Sequence, residues 1–297
     1  MNQQRRSILC PNCGKLISID ESRCPYCHVK NPGSRWKNNA WTRGFQNPSQ
    51  LIRAIIYLNI GMYVISLILK PTGTSLSMNP LTFLAPDDSS LILLGATGTV
   101  PIDYYYLYLK SKIGAAPLFI DHFPRWWTML SANYLHGGVL HIFFNMMAFR
   151  QLAPFVIREF GPYRMFIIYT IGGIVGFAVS YLAGIRFTIG ASAAVCSLIG
   201  ATLFYGKSRG GIYGQAIYRQ VGAWALVLFL FGFIVPGINN WGHGGGLLGG
   251  ALLAYLMGYH EKSRERLVHK TMAGVCVLMT AAVLGLCLIT GVYYLLT

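Results

Sequence analysis

Residues 271–297 read TMAGVCVLMTAAVLGLCLITGVYYLLT, twenty-seven positions without an Asp, Glu, Lys or Arg. A helix rises about 1.5 Å per residue and the hydrocarbon core of a bilayer is about 30 Å thick, so roughly twenty such residues cross it. Similar runs recur upstream at 54–69, 126–149, 165–185, 187–206, 221–235 and 237–259. The first is slightly short, but Arg53 and Lys70 at its ends can snorkel. The second is expected to enter the membrane near Leu135, and Pro236-Gly237-Ile238-Asn239-Asn240 is a turn signal dividing the last two. Seven spans are predicted.

Composition agrees. Of 297 residues only 11% are charged and 54% are hydrophobic, where a soluble domain carries about 25% charged residues. The mean hydropathy is +0.48. Disorder, collagen and a wholly soluble enzyme are excluded. The net charge of +15, from 24 basic and 9 acidic residues, would suggest nucleic acid in a soluble protein. Here the basic residues sit before the first apolar run and in short gaps between runs, which is how topology charges are distributed, so no nucleic-acid partner is expected. Placing the N-terminus inside puts 18 of the 24 on the inner side and only Lys70, Lys110, Lys112, Arg125 and Arg186 outside, with Arg150 within a span. The N-terminus is therefore expected in the cytoplasm and the C-terminus outside.

Ahead of the apolar runs, Cys10-Pro-Asn-Cys13 and Cys24-Pro-Tyr-Cys27 form two C-x2-C knuckles. Four thiolates at this spacing can close a tetrahedral zinc site with no open position for catalysis. So short a head cannot build an adequate apolar core, and a structural Zn²⁺ would supply much of its folding free energy, on the order of 10 kcal/mol. It resembles the zinc-ribbon heads of bacterial membrane proteins, and His28 reads as a surface residue rather than a ligand. Arg5 and Arg6 precede the knuckles with no apolar core of a cleavable signal, so the head is expected to stay in a reducing compartment. Residues 1–32 form this head and 33–50 a linker, where Trp36, Trp41 and Phe45 are expected to touch the bilayer surface or the ribbon. Residues 51–260 form a six-span core, and 261–297 a loop and the seventh helix. The connection 71–125 is too apolar and aromatic for a solvent loop and is expected to lie partly in the interface.

Polar residues inside lipid carry the functional reading. His141 and Asn145 share one face of the second span. Ser192 follows Gly190-Ala191 at the outer start of the fourth, and His243 follows Trp241-Gly242 at the outer start of the sixth. All four fall at one depth. A serine is a weak nucleophile unless a base takes its proton, and His243 is placed to do so. The start of a helix offers unpaired N–H groups to an oxyanion, and His141 and Asn145 add side-chain donors. The spans contain no Asp or Glu, so a Ser–His dyad is expected in place of a triad. His136 reads as structural or gating. Gly172 with Gly176, and Gly242 with Gly246 and Gly250, stand four apart, a spacing that lets helix backbones approach closely.

These segments resemble the rhomboid intramembrane serine proteases. WTMLSANYLHGGVLHIFFN at 127–145, GASAA at 190–194 and GHGGGLLGG at 242–250 match the signature segments of that family in order, and the resemblance covers about residues 50–260. It implies an all-α polytopic membrane protein with a six-helix core plus one C-terminal transmembrane helix. It also implies Ser192 as nucleophile, His243 as base, and His141 and Asn145 at the oxyanion. The implied activity is hydrolysis of peptide bonds in or near the transmembrane segment of single-span substrates, with no catalytic cofactor. The expected location is a bacterial cytoplasmic membrane, and a cytoplasmic protein is a candidate partner for the head. Three positions depart from the pattern: Thr128 stands where Arg often follows the Trp, Ala193 where Gly follows the serine, and Cys196 where an aromatic residue packs on the base. The alternative is a catalytically silent relative that binds transmembrane helices.

Overall fold

Local chemistry sets where each helix begins. Asn47 accepts a hydrogen bond from the Gln50 N–H and Pro48 fits the first turn, so α1 runs Pro48–Leu69 and starts well before the uncharged run. The computed structural model describes residues 7–34, 45, 47–80, 82–105, 110, 123–235 and 237–296. Trp36, Trp41 and Lys112 lie outside the described residues.

Two short strands, β1 (Ser7–Leu9) and β2 (Leu16–Ser18), form an antiparallel hairpin in the head, with Ser7 opposite Ser18. After α1, the described residues include the short helices α2 (Asp88–Leu93), α3 (Thr99–Asp103) and α4 (Thr128–Ser131). The long helices α5 (Val139–Phe160), α6 (Pro162–Leu182), α7 (Ser192–Arg209), α8 (Gly211–Ile234), α9 (Asn240–Met257) and α10 (Leu267–Leu296) follow. Five of these, α1, α5, α6, α8 and α10, are long and apolar enough to cross a membrane. The two others, α7 and α9, have 18 residues each and pack with α6 at the centre of the bundle.

Several boundaries differ from the uncharged runs, and charge is the reason. A helix in lipid keeps its backbone hydrogen bonds beyond the hydrocarbon core, while exposed basic side chains on its last turns reach water. Thus α5 continues through Arg150 and Arg158 until Gly161, whose φ of +100° ends it. Similarly, α8 already includes Arg219. The opposite happens at α7, which starts at Ser192 rather than near Phe187. The preceding segment is extended, and Thr188 exchanges backbone hydrogen bonds with Thr97 at 2.8 and 3.1 Å.

The connection after α1 is anchored by a buried cation. Arg125 is buried, donates to the Ile92 carbonyl at 3.0 Å, and lies 3.7 Å over the Tyr105 ring. Thr128 donates to the Arg125 carbonyl at 2.7 Å and sits 3.1 Å from the Thr97 hydroxyl. A guanidinium therefore serves this loop from position 125, although Thr128 occupies the place expected for arginine.

The glycines at four-residue spacing are where backbones meet. A Cβ at Gly250 would fall on the Ser197 carbonyl, one at Gly246 on the Ala193 carbonyl, and one at Gly200 on the Leu247 carbonyl. The α7–α9 contact is thus backbone against backbone. Ala193 fits because Gly176 faces it: a Cβ at Gly176 would lie 2.9 Å from the Ala193 methyl.

At the other end of α6, Glu265 from the loop before α10 accepts a hydrogen bond from the Arg164 N–H at 2.9 Å. It thereby satisfies a donor that the helix start leaves open. The buried Arg164 side chain donates to the Ser263 carbonyl at 2.9 Å, to the Ser263 hydroxyl at 3.0 Å and to the Arg264 carbonyl at 3.0 Å. Gly161 is required here, since a side chain would collide with the Glu265 carboxylate. Phe45, expected at the bilayer surface or ribbon, instead stacks on Tyr163 at 4.7 Å and packs edge-on against Phe166 at 5.7 Å. Phe45 is buried there, in the core of the bundle.

Two outcomes follow from this packing. Gly250→Val should lower the stability of the detergent-solubilised protein by about 1–3 kcal/mol or more through overpacking, measured by thermal unfolding. Gly244→Val, where a Cβ meets nothing within 4 Å, should change it little. Burial, only partly offset by the Arg164 N–H and guanidinium, pushes the Glu265 carboxyl up from 4.5 to about 7. An acid whose pKa folding raises binds its proton more firmly in the folded state, so stability falls as pH rises from about 4.5 through 7. Glu265→Gln should remove that part of the slope in unfolding measured between pH 5 and 8.

Candidate active site and metal centre

Three helices deliver the polar groups to one place. Ser192 is the first residue of α7, and its helix start follows from Gly190, whose φ of +122° turns the chain in a way L side chains rarely adopt. A Cβ at Gly190 would come within 2.6 Å of His141 Nε2. Only glycine lets the serine segment pass so close to the imidazole.

His243 lies in the first turn of α9 and is buried. Its Nε2 is 2.9 Å from Ser192 Oγ. For that nitrogen to accept the serine proton, the other must carry hydrogen. His243 Nδ1 is buried and has no hydrogen-bond partner among the described residues. Among the described residues no third polar group orients this ring, so its placement depends on how α9 itself is held.

His141 has its tautomer fixed by the backbone. Gly137 N–H donates to His141 Nδ1 at 3.2 Å. That nitrogen must be the acceptor, which leaves the proton on Nε2, beside Gly190. Asn145, one turn deeper on α5, donates from Nδ2 to the His141 carbonyl at 2.8 Å, leaving its second amide hydrogen uncommitted by that contact. The N–H groups of Ser192, Ala193 and Ala194 open α7, where a helix leaves its donors without intrahelical acceptors, whereas Val195 N–H already donates to the Ala191 carbonyl. A hydroxyl, two imidazoles and an amide from α5, α7 and α9 thus lie near one another within the bundle. Such an arrangement can support acyl transfer.

His136 is fully buried, with its ring 5.1 Å from that of His141 and neither nitrogen partnered among the described residues. Cys196, one turn after Ser192, is also buried. Sequence reasoning missed the tautomer-setting Gly137 N–H and the role of Asn239, whose side chain accepts from Gly242 N–H at 2.9 Å and caps α9. An Asn three residues before the first helical glycine was a legible capping signal, but the same residue also reads as part of a turn.

The head gathers its four cysteines. Cys10 Sγ is 3.7 Å from Cys27 Sγ, Cys13 Sγ is 3.6 Å from Cys24 Sγ, and all four lie within 4.8 Å of one another. A tetrahedron with metal–sulfur bonds of about 2.3 Å has edges of about 3.8 Å, so the four fit a metal ion. The knuckles share one backbone pattern. Cys10 N–H donates to Lys15 O and Gly14 N–H to Cys10 O; Cys24 N–H donates to Val29 O and His28 N–H to Cys24 O. His28, at φ +58°, occupies the turn position that Gly14 holds at +69°. It lies outside the ligand cluster. Burial raises the Cys27 thiol, but hydrogen bonds from the Asn12 side chain, the Val29 backbone and the neighbouring thiols bring it down to about 6. The thiolate is the form of cysteine that binds metal.

Comparison with known proteins bears on the family. The rhomboid domain model matches residues 124–260. Rhomboid protease GluP of Bacillus subtilis is 33% identical over 134 residues, which cover 45% of this chain and 26% of that one. The rhomboid protein YdcA of the same organism is 32% identical over 134 residues, covering 44% of this chain and 67% of YdcA. Inactive RHOMBOID-like protein 8 of Arabidopsis thaliana is 32% identical over 126 residues, covering 41% and 35%. For GluP and the Arabidopsis protein the match spans a quarter to about a third of the relative's length. The chain belongs to the rhomboid family of multi-span membrane proteins.

Proposed function

We propose that this chain is an intramembrane serine endopeptidase that hydrolyses peptide bonds in or near the transmembrane segments of single-span membrane proteins. The observation that carries this reading is the 2.9 Å approach of His243 Nε2 to Ser192 Oγ. Ser192 Oγ attacks the scissile carbonyl while His243 Nε2 takes its proton, and the carbonyl oxygen becomes an oxyanion. The Ser192 N–H, the His141 Nε2–H and the Asn145 Nδ2–H stabilise that charge. Collapse breaks the C–N bond, and His243 returns the proton to the leaving amine, leaving an acyl-enzyme on Ser192. Water, deprotonated by His243, then attacks the ester and frees the serine.

In this reading six helices form the core, with α7 and α9 as short central spans, and α10 adds a seventh. The head lies in the cytoplasm of a bacterial cell and the C-terminus outside. The cysteine cluster holds Zn²⁺ through Cys10, Cys13, Cys24 and Cys27. The ion stabilises the fold of the head and, with four protein ligands, has no open position for substrate. A cytoplasmic protein is the partner we assign to this head. Resemblance to a relative named inactive keeps one rival in view, a silent binder of transmembrane helices.

Labelling of the purified protein with a fluorophosphonate separates the two. Wild type should be modified at Ser192, Ser192→Ala not at all, and His243→Ala about 10²- to 10⁴-fold more slowly. A folded wild type that resists both this probe and a smaller electrophile would identify the silent binder. Metal analysis should find one zinc per chain, lost in Cys13→Ser. A chelator should release the zinc and unfold the head while labelling of Ser192 persists.

A further inference from the structure

The side chain of Asn239 does more than open α9. Its Oδ1 accepts Gly242 N–H at 2.9 Å, and its backbone carbonyl accepts His243 N–H at 3.1 Å. With Oδ1 committed to the helix start, the amide can face only one way. Nδ2 therefore donates to Ser180 Oγ at 2.7 Å and to Thr188 Oγ1 at 3.0 Å. Both acceptors are buried.

Each acceptor is itself held. Ser180, near the end of α6, donates its own hydrogen to the Gly176 carbonyl at 3.0 Å, which leaves its lone pairs for Asn239. Thr188 belongs to the extended segment that delivers Ser192, and its backbone is paired with Thr97 on both sides. One amide thus joins the helix that carries His243, the helix α6 and the strand-like segment that ends at Ser192. His243 Nδ1 has no partner among the described residues, so the ring takes its position from α9. Buried hydrogen bonds of this kind cost little to keep and much to leave half-made.

We propose that Asn239 is the positioning residue that sets the Ser192–His243 separation, acting through its amide bonds to Ser180 and Thr188 and not through helix capping alone. The inference rests on the endopeptidase reading. Small displacements of reacting groups cost rate steeply, about 10²-fold for 1 Å.

The test is the rate of fluorophosphonate labelling of Ser192 in the full-length protein, followed against probe concentration, with folding of each variant checked by its helical signal and thermal midpoint. Asn239→Ala should lower the maximal labelling rate about 10- to 100-fold and leave the half-saturating probe concentration unchanged. The double variant Ser180→Ala, Thr188→Val keeps the Asn239 cap on Gly242 and should be slowed to a similar extent. Adding Asn239→Ala to that pair should slow it little further, because all three changes remove one connection. Asn239→Ser, which retains a capping oxygen, should remain slow. If Asn239→Ala labels at the wild-type rate, the inference is overturned. Wild-type labelling in the Ser180, Thr188 double variant overturns it too, and decides the matter should Asn239→Ala fail to fold. Folded wild type that no serine-directed electrophile modifies would sink the endopeptidase reading, and this inference with it.

Discussion

The arrangement of the bundle depends on α7 and α9 meeting without side chains between them. Lipid offers no hydrophobic reward for bringing helices together, so close van der Waals approach and interhelical hydrogen bonds must hold them. The carbonyls of Ala193, Ser197 and Leu247 occupy the space that a Cβ on Gly246, Gly250 or Gly200 would need. Backbone contact of this kind has little freedom to adjust. It holds α7 against α9 along their length, and Ser192 and His243 lie in their first turns within hydrogen-bonding distance. A side-chain interface could relax by changing rotamers; this one has almost none to change.

Around that contact, hydroxyls and amides tie the ends of the elements. Asn239 holds α9 to Ser180 and Thr188, the Thr97–Thr188 pairing brings in the loop after α1, and Thr128 connects that loop to buried Arg125. In a medium that supplies no alternative partners, each such bond restricts a neighbour. This matters for His243, whose Nδ1 has no partner among the described residues. Control of the ring's position passes to the scaffold.

Much of this was legible in the sequence. Uncharged runs announce apolar helices because lipid penalises every charge. The spacing of Gly242, Gly246 and Gly250 announced the backbone contact, and Ser192, His243 and His141 stood out as polar groups in apolar surroundings. Helix ends were less legible. Exposed Arg158 and Arg219 continue helices past the apolar core, and Phe187–Gly190 is equally apolar yet extended, because its pairing with Thr97 is a long-range contact that no local pattern records. For the same reason Phe45 could not be assigned to Tyr163 and Phe166, nor Asn239 to two hydroxyls distant in the chain. The four cysteines were the opposite case, since a repeated C-x2-C spacing encodes its own geometry.

The cap on α6 has a consequence for the order in which the chain is made. Arg164 N–H is paired with a carboxylate 101 positions further along, and the Arg164 guanidinium donates to carbonyl and hydroxyl groups at 99 and 100 positions. Until the residues just before the last helix emerge during synthesis, the start of α6 lacks these partners, and the guanidinium has only the nearby Phe160 carbonyl at 3.4 Å. The first part of the bundle cannot complete its own hydrogen bonding. A chain that stops before Ser263 lacks three of the four acceptors of that guanidinium, so the start of α6 is completed only by the segment that precedes the last helix.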